Sequence, residues 1–174
     1  MAQDFARRRL PPPERLDRLL QELVQALLAT QGDNLVSVVL YGSVARGDAH
    51  DGSDIDLLVV FRDLPLGRFQ RYPFFHAATD RLRPTLEALW EQGYTARWSP
   101  VLKTVEEASY HSPLFLDMTL DAKMLFDRDG FFEGVLDEMR ARMKELGSYR
   151  TRLSSGGWEW VLKPDYNWGE LIEI

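Results

Sequence analysis

Apolar residues recur along the chain in two rhythms, one helical and one extended. Leu16, Leu19, Leu20, Leu23, Val24, Leu27 and Leu28 fall at i, i+3, i+4 and i+7, which predicts an amphipathic helix starting near Glu14. The three prolines before it, Pro11 to Pro13, cannot be helix interior, so residues 1–13 read as a flexible arm. Gly32-Asp33-Asn34 supplies the turn chemistry that ends the helix. Leu35 to Tyr41 is then a compact, β-branched apolar run, the pattern of a buried strand. A second strand is predicted over Asp54 to Phe61. Its front half alternates polar and apolar and its rear half is apolar throughout, as expected of a central strand with a polar working end.

Beyond the loop Asp63 to Gly67, helical spacing runs from about Pro73 to Glu91, with Pro84 starting or kinking part of it. A third strand is expected at Tyr94 to Thr104, and Pro100 puts it at an edge or a bulge. Val105 to Asp121 should hold a helix, and Lys123 to Phe126 a short strand before the turn Asp127 to Gly130. Phe131 to Leu146 is amphipathic and closed by Gly147. Arg150 to Leu153 and Trp158 to Leu162 flank Ser154-Ser155-Gly156-Gly157 as a hairpin would. The alternation of helices and strands argues for an α/β layer architecture.

Composition narrows the class. With 174 residues, 45% of them hydrophobic, the chain is expected to be one domain with its own core, residues 14–146 forming that core and 147–174 an aromatic-rich β tail. The absence of cysteine excludes disulfides, thiolate metal sites and a cysteine nucleophile. No apolar run approaches the ~20 residues of a membrane helix, and prolines rather than an apolar stretch follow the first arginines. A cytoplasmic protein without membrane contact is the expectation. Acids outnumber bases 27 to 21, which argues against a general nucleic-acid binder. Arg7-Arg8-Arg9 reads as a solvated arm, with contact to RNA or an acidic partner as the lesser alternative.

One constellation carries chemistry: Gly42-Ser43, then Asp54-Ile55-Asp56. A glycine after a strand lets backbone approach a ligand, and the following helix start offers free N–H groups to a phosphate, with the Ser43 hydroxyl beside them. Asp54 and Asp56 are two apart on a strand, so their carboxylates share one face while Ile55 and Leu57 point into the core. Two such carboxylates repel unless a cation joins them. Mg²⁺ suits the role, since it combines one or two carboxylates with substrate phosphate oxygens. Arg46 is either a further phosphate contact or a surface arginine paired with Asp48 or Asp51. His50, His76 and His111 show no metal-ligand spacing.

Tyr41-Gly42-Ser43-Val44-Ala45-Arg46-Gly47 followed by Ser53-Asp54-Ile55-Asp56-Leu57-Leu58-Val59 resembles the minimal nucleotidyltransferases of the DNA polymerase β superfamily. Leu116-Asp117-Met118 and Leu125 to Gly130 also look like stand-alone members. The resemblance implies a mixed β-sheet flanked by helices and Mg²⁺-dependent transfer of a nucleoside monophosphate from a triphosphate, ATP by preference, to an acceptor hydroxyl. By position, Gly42 and Ser43 would hold the triphosphate, and Asp54 and Asp56 would be the catalytic, metal-binding pair. Stand-alone relatives often act as antitoxins beside a HEPN-type partner, some adenylylating a tyrosine on that toxin, and others modify aminoglycosides.

The family usually has a third acid on the strand after the helix, yet Tyr94 to Thr104 contains none. Glu106, Glu107 and Asp117 lie further on and read as ordinary solvated or capping groups. This departure motivates an alternative, a non-catalytic binding module that neutralises a partner by contact. The tail, with Trp158, Trp160, Tyr166 and Trp168, reads as a packing or homo-oligomer contact element rather than a base-stacking platform.

Overall fold

The computed structural model describes residues 9–154 and 157–172. Arg7 and Arg8 of the basic arm, and Ser155 and Gly156 of the hairpin turn, lie outside them. Helix α1 (Pro13–Gln31) opens on a proline, whose missing N–H costs nothing in a first turn, and buries Leu16, Leu19, Leu20, Leu23, Val24 and Leu27. The short strands are β1 (Leu35–Tyr41), β2 (Ile55–Phe61), β3 (Trp98–Thr104) and β4 (Lys123–Asp127). They form one mixed sheet in the order β3-β2-β1-β4, with β1 antiparallel to β2 and β4, and β2 parallel to β3.

The sheet is covered on both faces. Ile55, Leu57, Val59 and Phe61 pack with α1 and with α3 (Arg68–Thr79) and α4 (Arg83–Glu91). Leu58 and Val60 face the opposite layer of α5 (Val105–Ser109), α6 (Pro113–Asp121) and α7 (Phe131–Leu146), where Phe115 and Phe132 meet edge to face at 5.1 Å. Every residue of β2 except Asp56 is buried, so the polar working end expected from the sequence is one residue of this strand and the residue before it.

Three elements differ from the sequence pattern. The helical stretch predicted from Pro73 begins at Arg68, with Pro73 inside α3, and it breaks at a 3₁₀ turn, Asp80–Leu82, before Pro84 opens α4. The single helix expected over Val105 to Asp121 is two: the first ends at Ser109, Tyr110 is extended, and Ser112 and Pro113 cap and open the second. The strand expected from Tyr94 starts at Trp98. Tyr94 makes only an isolated bridge to Arg9, because β2, its pairing partner, begins at Ile55 opposite Trp98. Pro100 does sit on an edge strand, where its missing N–H removes no ladder bond and discourages pairing with another chain.

Glu107 has a structural task away from the double-aspartate end. It completes a capping box with Thr104 and takes two bonds from the buried Arg71, at 2.6 and 2.7 Å. Arg71 also donates to the carbonyls of Pro65 (2.7 Å) and Leu102 (3.2 Å), tying α3 to β3. The Arg71 bonds hold the Glu107 carboxyl below the usual glutamate range, against the effect of burial. A depressed folded value means the pair's contribution is complete above the unfolded glutamate value and is lost as pH falls through the lower folded one. Glu107→Gln, at a side chain 40% exposed where solvent screens the pair, is expected to cost about 1 kcal/mol in urea unfolding at neutral pH. The difference from wild type should shrink as acid protonates Glu107.

The tail forms the hairpin β5 (Tyr149–Arg152) and β6 (Trp158–Val161). It is anchored on α6 by Arg150 to Asp121 (2.6 Å) and Trp160 Nε1 to Asp117 (2.8 Å), so Asp117 serves packing. Arg150 also lies 4.6 Å from the Trp158 ring centre.

Candidate active site

The site sits where β1 and β2 end side by side. Tyr41 pairs with Asp56, and the chain leaves β1 through Gly42 into the five-residue helix α2 (Gly42–Arg46). Gly42 has φ +74°, a left-handed conformation that L-residues avoid. A side chain there is also excluded by space: a Cβ built on Gly42 would overlap the Asp56 carboxylate, whose Cγ would lie 3.1 Å away. The glycine thus lets the carboxylate of β2 lie over the backbone that begins α2. In that first turn the amide N–H groups have no intrahelical acceptor, and Ser43 adds its hydroxyl. Ser43 is half-buried, and Val44 and Ala45 anchor the turn in the core.

The two aspartates differ in environment. Asp56 is half-buried and takes a hydrogen bond from the Ser99 hydroxyl, its register partner on β3. Burial pushes its carboxyl above the usual aspartate value, the Ser99 bond pulls it back, the charge of Asp54 pushes it up again, and that of Arg46 pulls it down. Asp54 is exposed and paired with Arg97, Nε to Oδ1 at 2.7 Å. Next to Asp56, burial and the Asp56 charge raise the Tyr41 hydroxyl to about 12, so it stays protonated at neutral pH.

The structure brings Gly42, Asp54 and Asp56 together, with Ser43 at the start of α2. Arg46 has a foot in both readings: Nε binds Asp48 at 3.1 Å, while its charge still reaches Asp56. His50 is an element of the loop, its Nδ1 accepting from the Gly52 N–H at 3.0 Å. Among the described residues, no group of three or more His, Asp or Glu side chains is placed to hold a metal ion.

Two neighbours escape a reading from sequence, Arg97 and Ser99. Their i, i+2 spacing repeats that of Asp54 and Asp56, which is the signal that was available. Its meaning depends on the parallel register Asp56 to Ser99, and register is not written in either strand alone. The position facing Asp56, where a third acid would share the site, is a serine.

The chain matches the sequence profile of the nucleotidyltransferase domain over residues 17–111. A protein of Methanocaldococcus jannaschii with the provisional name protein adenylyltransferase is 32% identical over 133 residues, covering 75% of this chain and 85% of its own. Among solved structures, a toxin–antitoxin pair with AMP-PNP overlaps 73% of this chain and 92% of its own at 19% identity, TM-score 0.44. The Shewanella oneidensis MNT antitoxin complex with tri-AMPylated HEPN toxin overlaps 75% and 92% at 16% identity, TM-score 0.42. Matched by that profile over more than half its length and sharing 32% identity with the archaeal relative across three quarters of it, the chain belongs to the nucleotidyltransferase-domain family.

Proposed function

We propose that the protein transfers a nucleoside monophosphate from ATP to a hydroxyl of a partner protein, with a tyrosine of a HEPN-type toxin as the acceptor to test first. The observation that carries this reading is the seating of Asp56 over Gly42, beside Asp54. It puts one carboxylate against a turn whose amides and Ser43 hydroxyl suit phosphate, with a second two residues earlier in the chain. The name of the 32%-identical relative supports both the adenylyl group and the protein acceptor.

Asp54 and Asp56 fit a hard divalent cation. The donors are all oxygen, the two charges oppose each other, and phosphate oxygens of the substrate would complete the shell. Bound there, Mg²⁺ would neutralise charge on the phosphoryl oxygens of the transferred group. The chain's own side chains then have separate tasks. Gly42 admits close approach, Ser43 and the α2 amides orient the triphosphate, and Arg46 adds a cation once it leaves Asp48. The acceptor hydroxyl oxygen bonds to the α-phosphorus and gives up its proton to solvent as the bond to the bridging oxygen breaks, and pyrophosphate leaves.

The test is incubation with Mg²⁺, a HEPN-type partner and ATP labelled at the α or the γ position. Label should pass to the partner from the α position only. Transfer from the γ position would indicate a kinase. Neutralisation of the partner with no label from either position would restore the contact-only alternative.

A further inference from the structure

Arg97 stands against Asp54, in a site where a further carboxylate was expected. Its Nε donates to Asp54 Oδ1 at 2.7 Å and its Nη2 to the Gly52 carbonyl, so the guanidinium bridges the carboxylate and the loop before β2. The backbone around it is fixed independently, since the Arg97 carbonyl accepts from the Ile55 N–H at 2.7 Å. The ion pair itself is open to solvent, its side chains 35% and 54% exposed, and pairs this exposed add little to stability. The Arg71–Glu107 pair is unlike it. Arg71 is 11% exposed, bidentate to Glu107 and bonded to two carbonyls, the design of a permanent tie.

We infer that Arg97 is an exchangeable counter-ion of the site: it occupies Asp54 in the free protein, yields that carboxylate to the divalent cation, and turns its guanidinium to a phosphate of the bound nucleotide. The inference rests on the proposed two-carboxylate reading and adds the residue that competes with the metal. A dication and a guanidinium at one carboxylate share its negative charge, so each weakens the other's hold. A dication shared with Asp56 takes the larger share of its charge, leaving the guanidinium repelled by the ion and short of an acceptor. The triphosphate supplies one, in the planar geometry an arginine fork matches. Ser99, two residues on, faces Asp56 in the β2–β3 register and takes no part in the exchange.

The experiment measures two affinities on the intact chain, that of Mn²⁺ alone by electron paramagnetic resonance and that of a non-transferable α,β-methylene ATP analogue in saturating Mg²⁺. Arg97→Gln should bind Mn²⁺ about two- to fivefold more tightly, since a weak competitor is gone. It should bind the analogue about tenfold more weakly, since a charged phosphate contact is gone. Arg97→Lys, which keeps the charge without the fork, should hold Mn²⁺ near wild type and recover part of the analogue affinity. Equal affinities in wild type and Arg97→Gln would make Arg97 a purely structural residue and overturn the inference. Weakened analogue binding with unchanged Mn²⁺ binding would make it a simple phosphate contact and overturn the exchange. Mn²⁺ binding that neither Asp54→Asn nor Asp56→Asn alters would remove the two-carboxylate reading itself, and the exchange with it.

Discussion

Asp56→Asn is expected to lower label transfer to the acceptor by about a thousandfold while leaving the protein as stable as wild type or slightly more so. The loss follows from the proposed role. A carboxylate that holds a catalytic cation contributes several kcal/mol in the transition state, and each ~1.4 kcal/mol is a factor of ten in rate. The stability follows from the site's electrostatics. Burial and the neighbouring Asp54 charge raise the Asp56 carboxyl above its ordinary value, so its ionised form is disfavoured by folding. A group with a raised folded value favours the fold when protonated and opposes it once pH exceeds that value, so a neutral amide of the same shape removes an opposing term at neutral pH. Ser99 retains an oxygen to bond. Transfer within tenfold of wild type, or a fall in the melting temperature large enough to explain the loss, would count against the assignment.

The second large effect is expected at Gly42, where backbone and space act together. Gly42→Ala meets a φ of +74° and the Asp56 carboxylate at once. The left-handed backbone alone costs about 1–2 kcal/mol. The overlap must then push Asp56 or the start of α2 aside, and misplacement of a reacting group on the order of 1 Å costs about a hundredfold in rate. Gly47 provides the control. It has φ +81° but nothing within 4 Å of a built Cβ. Gly47→Ala should show the backbone cost in urea unfolding with transfer largely retained. Equal transfer by the two variants would mean that the close approach of Asp56 has no part in catalysis.

The elements read correctly from sequence are those whose signal is local. Strand β1 runs from Leu35 to Tyr41 and helix α7 from Phe131 to Leu146, as their period and end signals predict. One proline departs from its sequence reading because packing overrides it. Pro73 lies inside α3 because Arg71 and Phe75, on either side of it, are buried and hold the turn together. Tyr94 was drawn into β3 by its β-forming neighbours, although a strand lasts only as long as its partner does.

The candidate site divides in the same way. Gly42, Ser43, Asp54 and Asp56 were legible because each pair is close in sequence and follows or opens an apolar strand, so local geometry alone aims them at one end of the sheet. The acidic crowding from Asp48 to Asp56 and the overall excess of 27 acids over 21 bases belong to the same local record. What only the tertiary structure decided is which groups face those acids. Arg97 and Ser99 are more than forty residues further on, and a shift of one residue in the β2–β3 register would turn both away. Glu107 and Asp117, two of the acids that follow the strand where a third carboxylate would stand, are held elsewhere by Arg71, Trp160 and Arg150. Local sequence set the two carboxylates and the glycine turn beside them, because strand period and glycine freedom are properties of a few adjacent residues. Register and layer packing set their counter-ions, because those arise only when distant strands pair.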